Sequence, residues 1–147
     1  MSRSEGIWRR TSVLALAGGL AFWVVNFAIS LTPIAAEYRA ALSIAYVPML
    51  LEALLGGLIL GFLVSYSLLR FFDRIPTRNP ILKSVLLSFV ALVVVTLLIE
   101  VPAKSLTTSS DPLRYFLIGA LFNVIRILAL GLAVGYACNR FEASVGE

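Results

Sequence analysis

An apolar run at positions 46–72 limits what this chain can fold into more than any other feature. About 20 residues of helix cross the ~30 Å hydrocarbon core of a bilayer, and this run is longer. Its only formal charges are Glu52 and Arg70. Arg70 stands near the end, where a long stem carries its charge to the headgroups. Glu52 lies roughly 9 Å into the span at about 1.5 Å per residue. The sequence therefore predicts a membrane-spanning helix with a carboxylate inside it.

Small residues recur at every fourth position of the same run. They are Ala53, Gly57, Gly61 and Ser65. Helices in lipid gain little from hydrophobic burial against each other, so they associate where small side chains let their backbones approach. Residues four apart drift by only about 40° around a helix, so these four form one groove. We predict that this groove packs against another helix, of the same chain or of a second copy. Gly119 in the last span is a further expected packing position.

Three other apolar runs make the chain a polytopic membrane protein. Hydrophobic residues form 60% of its 147 positions, whereas a soluble domain has about 45–50%. The predicted spans are residues 13–31, 46–72, 81–101 and 113–138. The expected fold is therefore all-α, a single domain formed by a bundle of four transmembrane helices.

The connecting segments are short and polar, and their positive charge is uneven. Residues 32–43 and 102–112 are predicted to be loops on one side of the membrane. Three Lys or Arg residues lie in or beside them, against eight in the two termini and the middle loop. Cytoplasmic segments carry the excess of Lys and Arg. We expect both termini to be cytoplasmic, in a plasma or inner membrane.

The middle loop is the most basic segment of the chain. Its cations are Arg70, Arg74, Arg78 and Lys83. They either contact anionic lipid headgroups or only set the topology. The net charge of +4 is explained by such loops, so the lipid bilayer is the expected partner and nucleic acid is not.

Several kinds of chemistry are excluded by composition. The chain has one cysteine, Cys138, and no histidine. An internal disulfide is therefore impossible, and zinc sites of the usual kinds and Ser-His-Asp catalysis lack their residues. No catalytic or cofactor motif is present, so we expect no enzymatic activity, cofactor, metal site or catalytic residue.

A weak internal repeat links the second and fourth spans. Five residues recur with an offset of seventy positions. Gly61, Val64, Tyr66, Arg70 and Phe71 become Gly131, Val134, Tyr136, Arg140 and Phe141. This pattern suggests two tandem helical hairpins in the same orientation, although apolar spans also match by chance.

Polar residues inside the spans form the candidate site. Arg126 lies near the middle of the fourth span, on the same helical face as Asn123. A charge at that depth needs a partner. Helical side chains tilt towards the amino terminus, which brings Arg126 to the level of Glu52 and Asn26. We predict one intramembrane cluster with a Glu52–Arg126 pair, and Glu100 is the alternative partner.

Two classes of function remain open at this stage. The first is a small interaction or accessory protein, as a homo-oligomer or part of a larger membrane complex, in which the charged pair only fixes the helix register. The second is an oligomeric transporter or channel for a small polar or anionic solute. The small-residue groove favours the first class, and the intramembrane charges favour the second.

Overall fold

The computed structural model describes residues 3–102 and 110–145, and this part of the chain is helical with no strand. The helices are α1 Arg3–Ser30, α2 Pro33–Ala41, α3 Tyr46–Arg70, α4 Pro80–Val95 and α5 Pro112–Val145. A 3-10 turn, Phe72–Arg74, follows α3, and a π-helical turn, Thr96–Glu100, extends α4. The predicted all-α fold is confirmed.

Four helices in the described ranges are long and apolar enough to cross a membrane. They are Glu5–Ser30, Tyr46–Arg70, Pro80–Glu100 and Pro112–Ser144. The protein is therefore a membrane helix bundle. The first helix begins well before the predicted span, and the last continues beyond Cys138. Residues 103–109, most of the predicted polar loop, lie outside the described residues.

The prediction of a loop at residues 32–43 is wrong, because α2 occupies most of it. Thr32 caps this helix: its hydroxyl accepts a hydrogen bond from the Ala35 N–H at 3.3 Å. Pro33 follows at the first helical position, where its fixed φ suits the helix and its missing N–H costs nothing. We call the end of the bundle at which α1 and α4 finish and α3 and α5 begin the α2 end. The opposite end is the Arg74 end.

Close backbone contact joins α1 to α3. A Cβ atom on Gly61 would lie 2.6 Å from the Ala15 carbonyl oxygen, and one on Gly57 would lie 2.8 Å from the Phe22 ring. Ser65, one turn further along, is also buried. The small-residue groove of α3 is therefore filled by α1 of the same chain.

The pair α4 and α5 repeats this arrangement. A Cβ atom on Gly131 would lie 3.0 Å from the Val85 Cα. Gly131 follows Val85 by 46 residues, and Gly61 follows Ala15 by the same 46. The two helix pairs therefore meet in the same register, as expected for tandem hairpins.

Candidate functional site

A cavity of about 320 Å³ lies at the α2 end of the bundle. Its wall includes all five members of the predicted polar cluster. They are Asn26 on α1, Glu52 on α3, Glu100 on the π-helical turn, and Asn123 and Arg126 on α5. Gly119, which was expected at a helix contact, is buried in the same wall. The structure therefore brings residues from all four long helices around one space.

Arg126 is held by an amide rather than by a carboxylate. Its Nη1 donates to the Asn123 Oδ1 at 3.1 Å. The Asn123 Nδ2 in turn donates to the Glu100 Oε1. Asn123 thus links a cation and an anion that do not touch, and this hydrogen-bonded chain fixes the wall formed by α5 and the end of α4.

The expected ion pair between Glu52 and Arg126 does not form. An ion pair is instead present at the surface, between Arg114 and Glu37 at 2.8 Å. Glu52 lines the same cavity from α3, and it is exposed. Both charges that sequence reasoning paired therefore border one cavity without an ion pair between them.

The π-helical turn explains how Glu100 reaches the cavity. Glu100 follows the buried Ser88 by twelve residues, which in an unbroken α-helix would place it about 120° from the face of Ser88. One extra residue in a turn takes back about 100° of that rotation. Pro102 gives a physical reason for the wide turn, because its ring crowds the carbonyl four residues earlier and cannot donate to it. Glu100 is thereby directed towards α5.

Three polar atoms of the cavity wall have no hydrogen-bond partner among the described residues. They are the Asn26 Nδ2, the Arg126 Nε and the Glu100 Oε2. Asn26 is a lining residue but only 1% exposed, so its amide lies buried in the cavity wall. An unsatisfied buried group costs about 1–3 kcal/mol. The wall therefore offers both donors and an acceptor to whatever occupies the cavity.

The helix α2 adds two lining residues that sequence reasoning missed, Tyr38 and Arg39. The Tyr38 ring packs edge-on against Phe122, with 5.8 Å between the centroids. Burial and the nearby Glu100 carboxylate raise the pKa of the Tyr38 phenol, and the Arg126 charge opposes this effect. The phenol is therefore neutral at ordinary pH. The Thr32-Pro33 start of α2 was the available sequence signal for this helix.

A second, deeper compartment of about 380 Å³ adjoins the cavity. The two compartments share the polar cluster, Met49 and Ile99. The remaining lining of the deeper compartment is apolar or small, and includes Phe22, Leu60, Leu92 and Ile127. In each helix these residues lie further from the α2 end than the polar residue of that helix. The compartment at the α2 end, which we call the upper compartment, is thus polar. The deeper one, the lower compartment, has a mainly apolar lining below the polar cluster.

The predicted basic loop divides into exposed and buried cations. Arg70, Arg74 and Arg78 are exposed, whereas Lys83 is 5% exposed. The Lys83 ammonium donates to the Phe72 carbonyl and lies 3.6 Å from the centroid of its ring. Lys83 therefore fastens the start of α4 to the 3-10 turn, whereas the three arginines are exposed.

The described residues contain no group of three or more metal-ligating side chains that could hold a metal ion. No protein-family model, curated protein or solved structure matches this chain.

Proposed function

We propose that the protein binds a small polar solute or headgroup in the cavity at its α2 end, as the substrate site of a membrane carrier or transporter. This is the second of the two classes that the sequence leaves open. The observation that carries the proposal is the unpartnered Nδ2 of the buried Asn26, a residue that lines the cavity.

A cluster that only fixed the helix register would be expected to satisfy its own polar atoms. Buried polar groups in proteins are nearly always hydrogen-bonded, and a buried charge is costly unless it is paired. Here a cation, a carboxylate and an amide each leave one atom unpartnered, and all three border the same space. A volume of 320 Å³ accommodates about ten water molecules at roughly 30 Å³ each. A ligand or water in that volume would supply the absent partners.

The shared register of the two hairpins adds support for a transporter. Parallel repeats related by an axis along the membrane normal occur in transporters, and their substrate sites lie at the repeat interface. The cavity is built from both hairpins, with Asn26 and Glu52 from the first and Glu100, Asn123 and Arg126 from the second. In contrast, the groove that suggested an oligomer is filled by α1, so it gives no separate argument for self-association.

Cysteine accessibility tests whether the cavity is solvated. In a Cys138→Ala background, Glu52→Cys and Leu51→Cys are compared in nanodiscs with a charged, membrane-impermeant methanethiosulfonate reagent. The two positions are adjacent on α3 and lie at nearly the same depth, and Leu51 is 58% exposed on the outer face of the bundle. We expect the Glu52→Cys thiol to react and the Leu51→Cys thiol to stay unmodified, because a thiol in lipid meets neither water nor the reagent. Equal protection of both thiols would contradict a solvated site and favour a purely structural cluster.

A further inference from the structure

The charges around the cavity define the kind of ligand that would complement it. Arg39 is already engaged, because its guanidinium donates to the Ser30 carbonyl at 3.0 Å and lies over the Tyr46 ring. A hydrogen bond to a neutral carbonyl leaves the charge of Arg39 in place. The lining therefore carries two carboxylates, Glu52 and Glu100, and two cations, Arg39 and Arg126.

Balanced charges of both signs on the lining call for a ligand that carries both a positive and a negative group. Two carboxylates on different helices can each accept from a primary ammonium, and the Tyr38 ring in the cavity lining favours a cation. The Phe122 ring already lies under the Arg126 guanidinium, 5.9 Å from its centroid. The unpartnered donors, Arg126 Nε and Asn26 Nδ2, call for an oxygen acceptor as well. A group that carries an ammonium and an oxyanion satisfies both requirements.

The layering of the two compartments indicates what the rest of the ligand is. The polar upper compartment opens onto the apolar lower one, whose lining includes Leu60, Leu92 and Val95. Such a space suits an amphiphile with its headgroup towards the α2 end and an alkyl chain below it. A free polar solute would leave the lower compartment without a complementary occupant.

The exposure of the lining residues shows where such a molecule would enter. Asn26 and Phe122 are buried, so the walls formed by α1 and α5 are closed. On the other side, Glu52 of α3 is exposed, and Ile99 beside Glu100 is 62% exposed although it lines both compartments. Among the described residues, the cavity therefore opens sideways between α3 and the end of α4, where a bilayer would present lipid.

We propose that the cavity binds a membrane lipid whose headgroup carries a primary ammonium and a phosphate, the chemistry of phosphatidylethanolamine, and that this lipid enters between α3 and α4. Glu52 and Glu100 accept from the ammonium, Arg126 and Asn26 donate to the phosphate, and an acyl chain occupies the lower compartment. This inference rests on the proposed function, since it names the ligand of the same site.

Lipid titration of the detergent-purified protein tests the inference. Binding is measured by native mass spectrometry and by the shift in Tm, with dioleoyl phosphatidylethanolamine, phosphatidylcholine and phosphatidylglycerol and with free phosphoethanolamine. We expect the ethanolamine lipid to bind at least about tenfold more tightly than the other three probes. A quaternary ammonium cannot donate to the carboxylates, phosphatidylglycerol lacks the cation, and free phosphoethanolamine lacks the chain.

Carboxylate variants locate the site. Glu52→Gln should weaken binding of the ethanolamine lipid about tenfold or more, since the amide replaces a charge-assisted hydrogen bond to the ammonium with a weaker neutral one. Glu37→Gln is the matched control, because Glu37 lies at the same end of the bundle but outside the cavity lining. Glu52 has no ion pair or hydrogen bond with a described residue, so its replacement leaves the contacts of the fold intact.

The remaining outcomes separate this inference from the proposed function. Equal binding of phosphatidylglycerol would overturn the ammonium assignment, and equal binding of free phosphoethanolamine would overturn the lipid assignment. If no probe binds but the Glu52→Cys thiol still reacts with the impermeant reagent, the headgroup inference fails and the solvated site stands. If that thiol is also protected, both fail.

Discussion

The contact between α1 and α3 gives the sharpest prediction of stability, because two nearby glycines of α3 differ only in what faces them. A Cβ atom on Gly61 would lie 2.6 Å from the Ala15 carbonyl oxygen and 3.1 Å from the Gly19 nitrogen. A Cβ atom on Gly56 would meet nothing within 4 Å. We therefore compare Gly61→Ala with Gly56→Ala.

The size of the effect follows from the geometry. A carbon normally approaches a carbonyl oxygen to about 3.3 Å, so the helices must separate by roughly 0.7 Å at Gly61. Separations of that size forfeit about a quarter to a half of each dispersion contact, and overpacking typically costs about 1–3 kcal/mol. Both variants gain up to about 1 kcal/mol of helix propensity over glycine, and this gain cancels in the comparison. We expect Gly61→Ala to be less stable than Gly56→Ala by about 1–3 kcal/mol.

Unfolding by sodium dodecyl sulfate in mixed micelles measures this difference. Tryptophan fluorescence reports directly on the contact, because Trp8 of α1 stacks on Phe62 of α3 with 6.0 Å between the ring centroids. Gly135→Ala provides the equivalent test in the second hairpin, where the added Cβ would lie 2.5 Å from the Ile81 Cα. Equal stabilities of Gly61→Ala and Gly56→Ala, to within about 0.5 kcal/mol, would refute the close contact.

Three further predictions concern the polar residues. In double-mutant cycles measured by the same unfolding assay, Asn123→Ala and Arg126→Gln should couple by about 0.5–3 kcal/mol. The effects of Glu52→Gln and Arg126→Gln should instead add to within about 0.5 kcal/mol. Coupling between Glu52 and Arg126, with additive effects at Asn123 and Arg126, would support the direct ion pair instead. Lys83→Met should lower the free energy of unfolding by about 1–3 kcal/mol through loss of the hydrogen bond to the Phe72 carbonyl. The control Arg78→Met replaces an exposed cation and should change that free energy little. Equal effects of the two substitutions would contradict a stabilising hydrogen bond from Lys83. Because the pKa of Tyr38 is raised in the folded state, the unfolded phenol ionises first as pH rises, so its contribution to stability is complete below pH ~10 and is lost above it. The fall in the free energy of unfolding at alkaline pH should therefore be smaller in Tyr38→Phe. An unchanged fall would show that the Tyr38 phenol does not contribute to it.

The spans and the glycine groove could be predicted because each follows from a local rule. A long apolar run has few alternatives in a membrane, and small residues four apart mark the places where helices approach in lipid. What the pattern at Gly57 and Gly61 could not decide was the identity of the opposing helix. That depends on the positions of Ala15 and Gly19 in three dimensions, since a second copy would satisfy the same pattern.

The partner of Arg126 could not be predicted, because depth and side-chain direction define a level in the bundle but not a wall of it. Glu52 stands at the right level but lines the cavity from α3, without an ion pair to Arg126. Glu100 reaches the correct wall only through the π-helical turn, and no hydrophobic period encodes that rotation. The helix α2 was missed for a different reason: residues 32–43 were predicted to be a loop, although after the capping Thr32 the proline Pro33 occupies the first helical position.

The separation of Glu52 from Arg126 is the property on which the proposed binding depends. In a direct ion pair the two groups would neutralise each other and form their hydrogen bonds with each other instead of with a ligand. With Asn123 between Arg126 and Glu100, both charged side chains are held in place, yet each keeps an atom without a partner beside the cavity. Glu52 lines the same cavity of about 320 Å³ from α3. One rigid polar wall and one carboxylate on the open side are what a ligand with both a cation and an oxyanion requires.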